Sequence, residues 1–193
     1  MKFVNRFFMI LVALCLVCPG VSAVVNTKPF VIPELKESKG AEGAFVPTET
    51  TKIVCPANQP ELLRIARMLA DDCETMFGHK PEVVQGKGGA GDVILAIRAD
   101  KKLGKEGYTV KVTDRILLTA PESIGVYWGT RTLLQIAEQS ENHQFPKGTL
   151  RDFPDYAMRG FMIDCGRKFI PLSFLQDYVK IMAYYKLNTL QIH

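Results

Sequence analysis

The chain has 193 residues, which is enough for one ordinary domain or for a small domain and the beginning of a second. With 47% hydrophobic and 23% charged residues, the composition is globular and excludes a fibrous or wholly disordered chain. The formal net charge is only +4, and no Lys/Arg run is interleaved with aromatic residues, so nucleic acid is excluded as a partner.

The first 23 residues have the pattern of a secretory signal peptide. Lys2 and Arg6 precede an apolar run over 7–17, and small residues lead to Ala23. The run is much shorter than the roughly 20 residues that span a bilayer, although an uncleaved anchor is the alternative. We expect cleavage near Ala23, no stable membrane insertion, and export to the periplasm or the exterior. Loss of the two positive charges leaves a mature chain of net charge +2.

The cysteines and histidines predict neither a disulfide framework nor a metal site. Three widely spaced cysteines remain in the mature chain, and Cys73 among them falls on the apolar face of a predicted helix. No CxxC pair occurs in the mature chain, and the histidines are scattered at His79, His143 and His193. The sequence therefore predicts no metal and no other cofactor.

The first third of the mature chain predicts an extended segment, a strand and a helix. Residues 24–51 are polar and interrupted by prolines, so we expect an extended segment, part of which pairs as an edge strand. Residues 52–55 (KIVC) form a short strand candidate. A helix is predicted from Pro60 to Gly78, because apolar residues recur there at three- and four-residue intervals.

A glycine-rich run over 86–91 (GKGGAG) resembles a phosphate loop only superficially. It lacks the Lys-Ser/Thr ending and precedes a strand, so we interpret it as a flexible turn. The next predicted strands are 92–97, 108–112 and 116–120, and the tight turn at 113–115 joins the last two as a hairpin.

A second helix is predicted over 122–139, although it contains Gly125 and Gly129. Each glycine costs a helix roughly 1 kcal/mol relative to alanine, so we expect that the helix approaches a sheet closely there. The order of elements predicts a small α+β domain over 24–150, a sheet with two helices on one face. Residues 140–155 are polar with two prolines, and we interpret them as a domain boundary.

After that boundary the pattern becomes strand, helix, strand. Residues 159–165 form a nearly continuous apolar run, typical of a parallel strand buried on both faces. A helix follows from Pro171, and 188–193 (NTLQIH) is a second strand, which completes a β-α-β unit. Because a parallel pair needs cover on both faces, we expect this sequence to be truncated.

Three residues lie where parallel strands end, the edge at which α/β proteins bind ligands. Asp164 and Arg167 follow the first strand, and His193 closes the second. From spacing alone the simpler interpretation is an ordinary ion pair between Asp164 and Arg167, with His193 a satisfied interior histidine. The alternative is a binding site.

The run over 159–193 resembles the opening of the catalytic barrel of glycoside hydrolase family 20. It carries Arg-Gly, Asp-x-x-Arg-x-Phe, Met-Ala-x-x-Lys-Leu-Asn and a strand-ending His. Residues 106–136 resemble the second half of the small α+β domain that precedes that barrel. The resemblance implies an α+β domain over 24–150 and, over 156–193, the first β-α-β of a truncated (β/α)8 TIM barrel.

The resemblance also implies an exported β-N-acetylhexosaminidase, whose partner is a glycan ending in N-acetylglucosamine or N-acetylgalactosamine. It implies that Arg167 holds sugar hydroxyls, that Asp164 orients Arg167, and that His193 supports the site. In this retaining, substrate-assisted reaction a Glu protonates the leaving oxygen, and an adjacent Asp positions the attacking 2-acetamido group. The sequence contains no Asp-Glu pair, and Asp71-Asp72 is expected to be solvated surface, so we expect no catalytic residue and no activity in this chain.

Two alternatives stay open. One is another barrel glycosidase, such as a hyaluronidase-like O-GlcNAcase, although the Asp-x-x-Arg-x-Phe run argues against it. The other is a non-catalytic exported carbohydrate-binding protein. Against the second, the single tryptophan, Trp128, is predicted to face the sheet and offers no exposed platform. The chain has Gln191-Ile192 where many family members carry aromatic residues or His-Trp, which leaves the substrate preference open.

Overall fold

The computed structural model describes residues 24–193, so the predicted signal peptide over 1–23 lies outside the described residues. A seven-stranded sheet carries two helices, and a two-stranded parallel sheet with a third helix follows. In chain order the elements are β1 Glu37–Phe45, β2 Lys52–Cys55, α1 Pro60–Phe77, β3 Glu82–Gln85, β4 Val93–Ile97, β5 Tyr108–Val112, β6 Ile116–Ala120, α2 Ser123–Glu138, β7 Phe145–Asp152, β8 Gly160–Ile163, α3 Leu172–Tyr184 and β9 Thr189–Ile192.

The large sheet is mixed, with the strand order β1-β7-β5-β6-β4-β2-β3. The neighbouring pairs β3–β2, β2–β4 and β4–β6 are parallel, whereas the pairs β6–β5, β5–β7 and β7–β1 are antiparallel. The predicted hairpin is present, and Val110 pairs with Leu118 in it. Strand β1 lies at one edge, as the sequence predicted for part of the N-terminal segment.

Helices α1 and α2 pack on each other and on the sheet, and the core lies between these layers. In α1 one face is buried, with Leu62, Ile65, Ala66 and Leu69 against the sheet. Gly78 ends α1 in the left-handed conformation, with φ +74°, and its N–H donates to the carbonyl of Glu74. The predicted start and end of this helix are therefore confirmed.

The two glycines of α2 mark its contact with the sheet. A Cβ atom at Gly129 would lie 2.3 Å from Cδ1 of Leu118 and 3.1 Å from the ring of Tyr108. A Cβ atom at Gly125 would lie 2.4 Å from the carbonyl oxygen of Gly107. The predicted close approach is confirmed, and it explains why α2 tolerates two residues of low helix propensity.

Two strands were absent from the sequence prediction. Strand β3 is a four-residue edge strand with only two apolar residues. Strand β7 lies between β1 and β5 and occupies half of 140–155, a segment that we interpreted as polar and in which we predicted no strand. Pro146 and Gly148 mask β7 in the sequence, yet Phe145 and Leu150 are buried. Pro146 is tolerated next to the irregular part of β1, where the register shifts.

Gln135 of α2 connects three parts of the molecule. Its side-chain oxygen accepts a hydrogen bond from the N–H of Ile32 at 2.7 Å, and its amide nitrogen donates to the Ile32 carbonyl at 2.9 Å. The same nitrogen donates to the carbonyl of Tyr184 in α3, also at 2.9 Å. The N-terminal segment and α3 are therefore both fixed to α2.

Strands β8 and β9 pair in parallel, from Gly160 opposite Thr189 to Ile163 opposite Ile192. The prediction that β8 is buried on both faces is wrong for the described chain, because Phe161 is 47% exposed. The Phe161 ring packs on Tyr178 of α3, with centroids 5.2 Å apart, and α3 covers one face only.

Within residues 24–193 no helix combines the length and apolarity needed to cross a membrane.

The contact at Gly129 gives a stability test. We expect Gly129→Ala to lower the free energy of unfolding by about 1–2 kcal/mol, because overpacking against the fully buried Leu118 outweighs the gain in helix propensity. Urea unfolding followed by circular dichroism measures this. Ile124→Ala, at an exposed position of the same helix, serves as the control. A stabilised Gly129→Ala variant would contradict the close approach.

The thiol of Cys73 gives a test of packing. Burial raises its pKa to about 11 from an ordinary 9.0. At pH 8 its thiolate fraction should then be about 100-fold lower than that of an ordinary thiol. We expect iodoacetamide to alkylate Cys73 about 100-fold more slowly in the native protein than in urea, as measured by peptide mass mapping. Equal rates in both conditions would mean that the side chain is solvated.

Candidate functional site

Asp164 shapes the turn that follows β8. Its Oδ1 atom accepts hydrogen bonds from the backbone N–H of Gly166 at 2.9 Å and of Arg167 at 3.3 Å. Aspartate commonly forms this kind of local turn, because its short side chain reaches backbone N–H groups two and three residues later. The backbone N–H groups of this turn therefore hold the carboxylate of Asp164 in place.

The second oxygen of the same carboxylate binds Arg167. The Nε atom of Arg167 lies 3.1 Å from Oδ2 of Asp164. The Arg167 side chain is 90% exposed and that of Asp164 is 30% exposed. The contact with Asp164 is made through Nε, and the high exposure of the side chain leaves Nη donors of the guanidinium accessible to a ligand.

His193 reaches the same carboxylate from the end of β9. Its Nδ1 atom lies 3.7 Å from Oδ1 of Asp164. Its backbone extends the parallel pairing by one residue, since its N–H donates to the carbonyl of Ile163 at 3.0 Å and its carbonyl accepts from Cys165 at 2.7 Å. The three residues selected from the sequence therefore form one cluster, centred on Asp164.

The cluster brings one guanidinium, one carboxylate and one imidazole to the same edge of the two-stranded sheet. A guanidinium oriented by a carboxylate offers a rigid pair of donors to neighbouring oxygens. Among residues 24–193, no group of three or more His, Cys, Asp or Glu side chains is arranged to hold a metal ion. The thiols of Cys55, Cys73 and Cys165 are free in the same range.

A second charged cluster, at the opposite ends of β8 and β9, was not found from the sequence. The ammonium of Lys186 donates to Tyr108 Oη at 2.7 Å and to Asp152 Oδ2 at 3.0 Å. Burial lowers the pKa of Lys186, whereas burial and the Asp152 charge raise the pKa of Tyr108. These partners are 34 and 78 residues away from Lys186, so no local pattern could have paired them.

Arg159 is the second member of that cluster. Its guanidinium forms an ion pair with Glu106, and Trp128 Nε1 donates to the same Glu106 oxygen at 2.8 Å. Trp128 is only 5% exposed, which confirms that it does not form an open platform. A cleft of about 530 Å3 borders these residues and is closed on its other side by the N-terminal segment around Glu34.

The acidic pair of α1 divides between two environments. Asp71 forms an exposed ion pair with Lys80, as expected of solvated surface. Asp72 differs from that expectation, because its Oδ2 atom lies 2.7 Å from the buried guanidinium of Arg131 in α2. This ion pair links the two helices.

Comparison with known families matches two models to this chain in succession. The second domain of glycosyl hydrolase family 20 matches residues 28–153, and the catalytic domain of the same family matches residues 156–193. The first match alone spans more than half of the chain.

Individual relatives agree with these matches. A β-N-acetylhexosaminidase from Cellulomonas fimi is 32% identical over 153 residues, which cover 77% of this chain and 31% of that protein. A β-hexosaminidase from Porphyromonas gingivalis is 26% identical over 173 residues, which cover 84% of this chain and 22% of that protein. The chain therefore spans less than a third of the length of these relatives.

Solved structures show the same fold. The family 20 β-N-acetylhexosaminidase from Streptomyces coelicolor superposes with a TM-score of 0.76 at 28% identity, over 89% of this chain and 36% of that one. The enzyme from Streptomyces plicatus gives a TM-score of 0.77 at 23% identity, over 88% and 35%. The family match removes the O-GlcNAcase-like alternative. This chain belongs to glycosyl hydrolase family 20.

Proposed function

We propose that the protein carrying this chain is an exo-acting β-N-acetylhexosaminidase, which removes terminal non-reducing N-acetylhexosamine residues from glycans. The observation that carries the proposal is the guanidinium of Arg167, fixed by Asp164 and open to solvent at the carboxyl ends of β8 and β9. The Cellulomonas fimi relative, 32% identical, bears the name of this activity.

Arg167 binds the hydroxyls of the terminal sugar in this proposal. Two adjacent hydroxyl oxygens match the spacing of the guanidinium donors, and the ion pair with Asp164 limits the orientations of the planar group. Asp164 thus acts through Arg167. His193, 3.7 Å from Asp164, supports the carboxylate from the next strand.

The bond-breaking groups come from elsewhere in the proposed enzyme. The 2-acetamido oxygen of the substrate attacks the anomeric carbon, a Glu protonates the leaving oxygen, and an adjacent Asp positions the acetamido group. This chain has no Asp-Glu pair, so its own contribution is recognition. The terminal sugar is N-acetylglucosamine or N-acetylgalactosamine; enzymes from Streptomyces plicatus and Vibrio harveyi have been solved with N-acetylglucosamine.

The proposed organisation has a signal peptide over 1–23, the α+β domain over 24–150, and the first β-α-β of a (β/α)8 barrel over 156–193. The half-exposed Phe161 and Met162 on β8 support the barrel, because further barrel elements would bury them. Export to the periplasm or the exterior follows from the signal peptide.

We expect Arg167→Met to reduce kcat/KM for a chromogenic N-acetyl-β-glucosaminide by about 100-fold or more, in the protein made from the complete reading frame. Each lost charge-assisted hydrogen bond costs about 1.5–3 kcal/mol. Arg64→Met removes a similarly exposed arginine, paired with Glu61 on α1, and is the matched control. Equal kcat/KM in the two variants would exclude Arg167 from substrate binding.

The 193-residue chain on its own should not hydrolyse the same substrate, because it lacks the acid and its partner carboxylate. The measurement is release of the chromophore by purified chain, beside the product of the complete reading frame under identical conditions. Hydrolysis by the purified chain that is lost in its Arg167→Met variant would contradict this expectation. It would mean that the chain itself contains the groups that break the bond.

A further inference from the structure

Lys186 combines two unfavourable features at one position. It lies between the end of α3 and the start of β9 with φ +61°, a left-handed conformation that residues with a Cβ atom adopt rarely. Its side chain is only 7% exposed, although an ammonium loses its hydration when it is buried. Glycine or asparagine would suit this backbone better. Such an outlier points to a role for the lysine side chain.

The side chain of Lys186 is bound by the large sheet. Its ammonium contacts Asp152, the last residue of β7, and Tyr108, the first residue of β5. Tyr108 Oη also donates to Asp152 Oδ2 at 2.7 Å, and it lies within hydrogen-bond distance of Thr132 in α2. The seven-stranded sheet with α1 and α2 is called the α+β layer below. The beginning of β9 is therefore attached to two strands and one helix of this layer.

The backbone around Lys186 ties β9 to β8. The carbonyl of Lys186 accepts a hydrogen bond from Nε of Arg159 at 2.8 Å. The side-chain oxygen of Asn188 accepts from the N–H of Arg159 at 2.9 Å, and the N–H of Asn188 donates to the Arg159 carbonyl at 2.8 Å. Arg159 also forms its ion pair with Glu106. The two strands thus begin at positions that the α+β layer fixes.

The opposite ends of these strands carry the candidate site. Four residue pairs separate the fixed ends from Asp164 and His193. Five steps along each strand, at about 3.3 Å per residue, make a distance of roughly 16 Å. A parallel pair of four residues transmits an axial shift at one end to the other, because its backbone hydrogen bonds keep the register.

We propose that Lys186 is a positioning residue, whose buried contact with Asp152 and Tyr108 sets the placement of β8 and β9 and thereby the geometry of the Asp164, Arg167 and His193 cluster. The functional half of this inference rests on the proposed hexosaminidase activity. The effect of Lys186 on the placement of the strands, which is the geometric half, concerns only this chain.

A purely structural lysine would stabilise the fold without affecting the cluster, and a pair of variants separates the two roles. Lys186→Met leaves the carboxylate of Asp152 buried without its cation, so it should lower stability. Lys186→Met combined with Asp152→Asn removes both charges, keeps an acceptor for Tyr108, and should recover part of that stability. Lys180→Met, which breaks an exposed ion pair on α3, is the matched control.

The geometric test uses NMR spectra of the 193-residue chain. In the double variant we expect the amide signals of residues 164–167 and the imidazole signals of His193 to shift clearly, while Lys180→Met leaves them in place. Shifts confined to the surroundings of Asp152 and Tyr108, in a chain that remains folded, would overturn the positioning role. If neither variant folds, Asp152→Asn alone, which keeps the lysine and weakens its contact, is measured in the same way.

The functional test uses the protein from the complete reading frame, assayed well below its unfolding temperature. We expect kcat/KM of the double variant to fall about 10- to 100-fold, since small displacements of binding groups reduce rates strongly. Recovered stability together with wild-type kcat/KM would mean that Lys186 is structural only. An inactive wild-type protein would overturn the proposed function instead, and the NMR result would still decide the geometric half.

Discussion

The parallel register of β8 and β9 is the constraint on which the candidate site depends. Asp164 and His193 are 29 positions apart in the chain, yet each follows its strand by one residue, so in-register pairing brings them to the same edge. The backbone bonds of His193 to Ile163 and Cys165 extend the pairing to the site itself. A slip of one residue would separate the imidazole from the carboxylate and point alternate side chains to the wrong face.

The α+β layer supplies what this short pair lacks. Two parallel strands bury little surface and cannot fix their own position. Here their beginnings are held by Lys186 and Arg159, whose charges are matched by Asp152 and Glu106 of the layer. Each of these cations, the buried Lys186 and the partly buried Arg159, has its own carboxylate, which offsets the loss of hydration. Gln135 adds a neutral connection from α2 to the end of α3.

Much of the fold could be predicted from the sequence where a local pattern matched its tertiary setting. The periodicity of α1, the hairpin of β5 and β6, and the glycines of α2 all follow from short-range chemistry. Strand β7 could not be predicted, because Pro146 and Gly148 indicate a turn and only the pairing partners on both sides make the segment a strand. We predicted more burial for β8 than the structure shows. An apolar run indicates that a strand has side chains suited to burial, but it does not show which other elements cover them.

The candidate site, too, could be predicted only in part from the sequence. Strand ends and the family resemblance were enough to select Asp164, Arg167 and His193. The cluster at the other ends of the strands depends on contacts between distant segments, and an isolated lysine or aspartate in the sequence does not reveal such contacts.

A crystal structure of the protein from the complete reading frame with bound N-acetylglucosamine tests the central claim most directly. We predict that two guanidinium nitrogens of Arg167 lie about 2.7–3.2 Å from two sugar hydroxyls, while Nε remains in contact with Asp164. A sugar bound in a pocket that excludes Arg167, or an Arg167 that has left Asp164 for solvent, would contradict it.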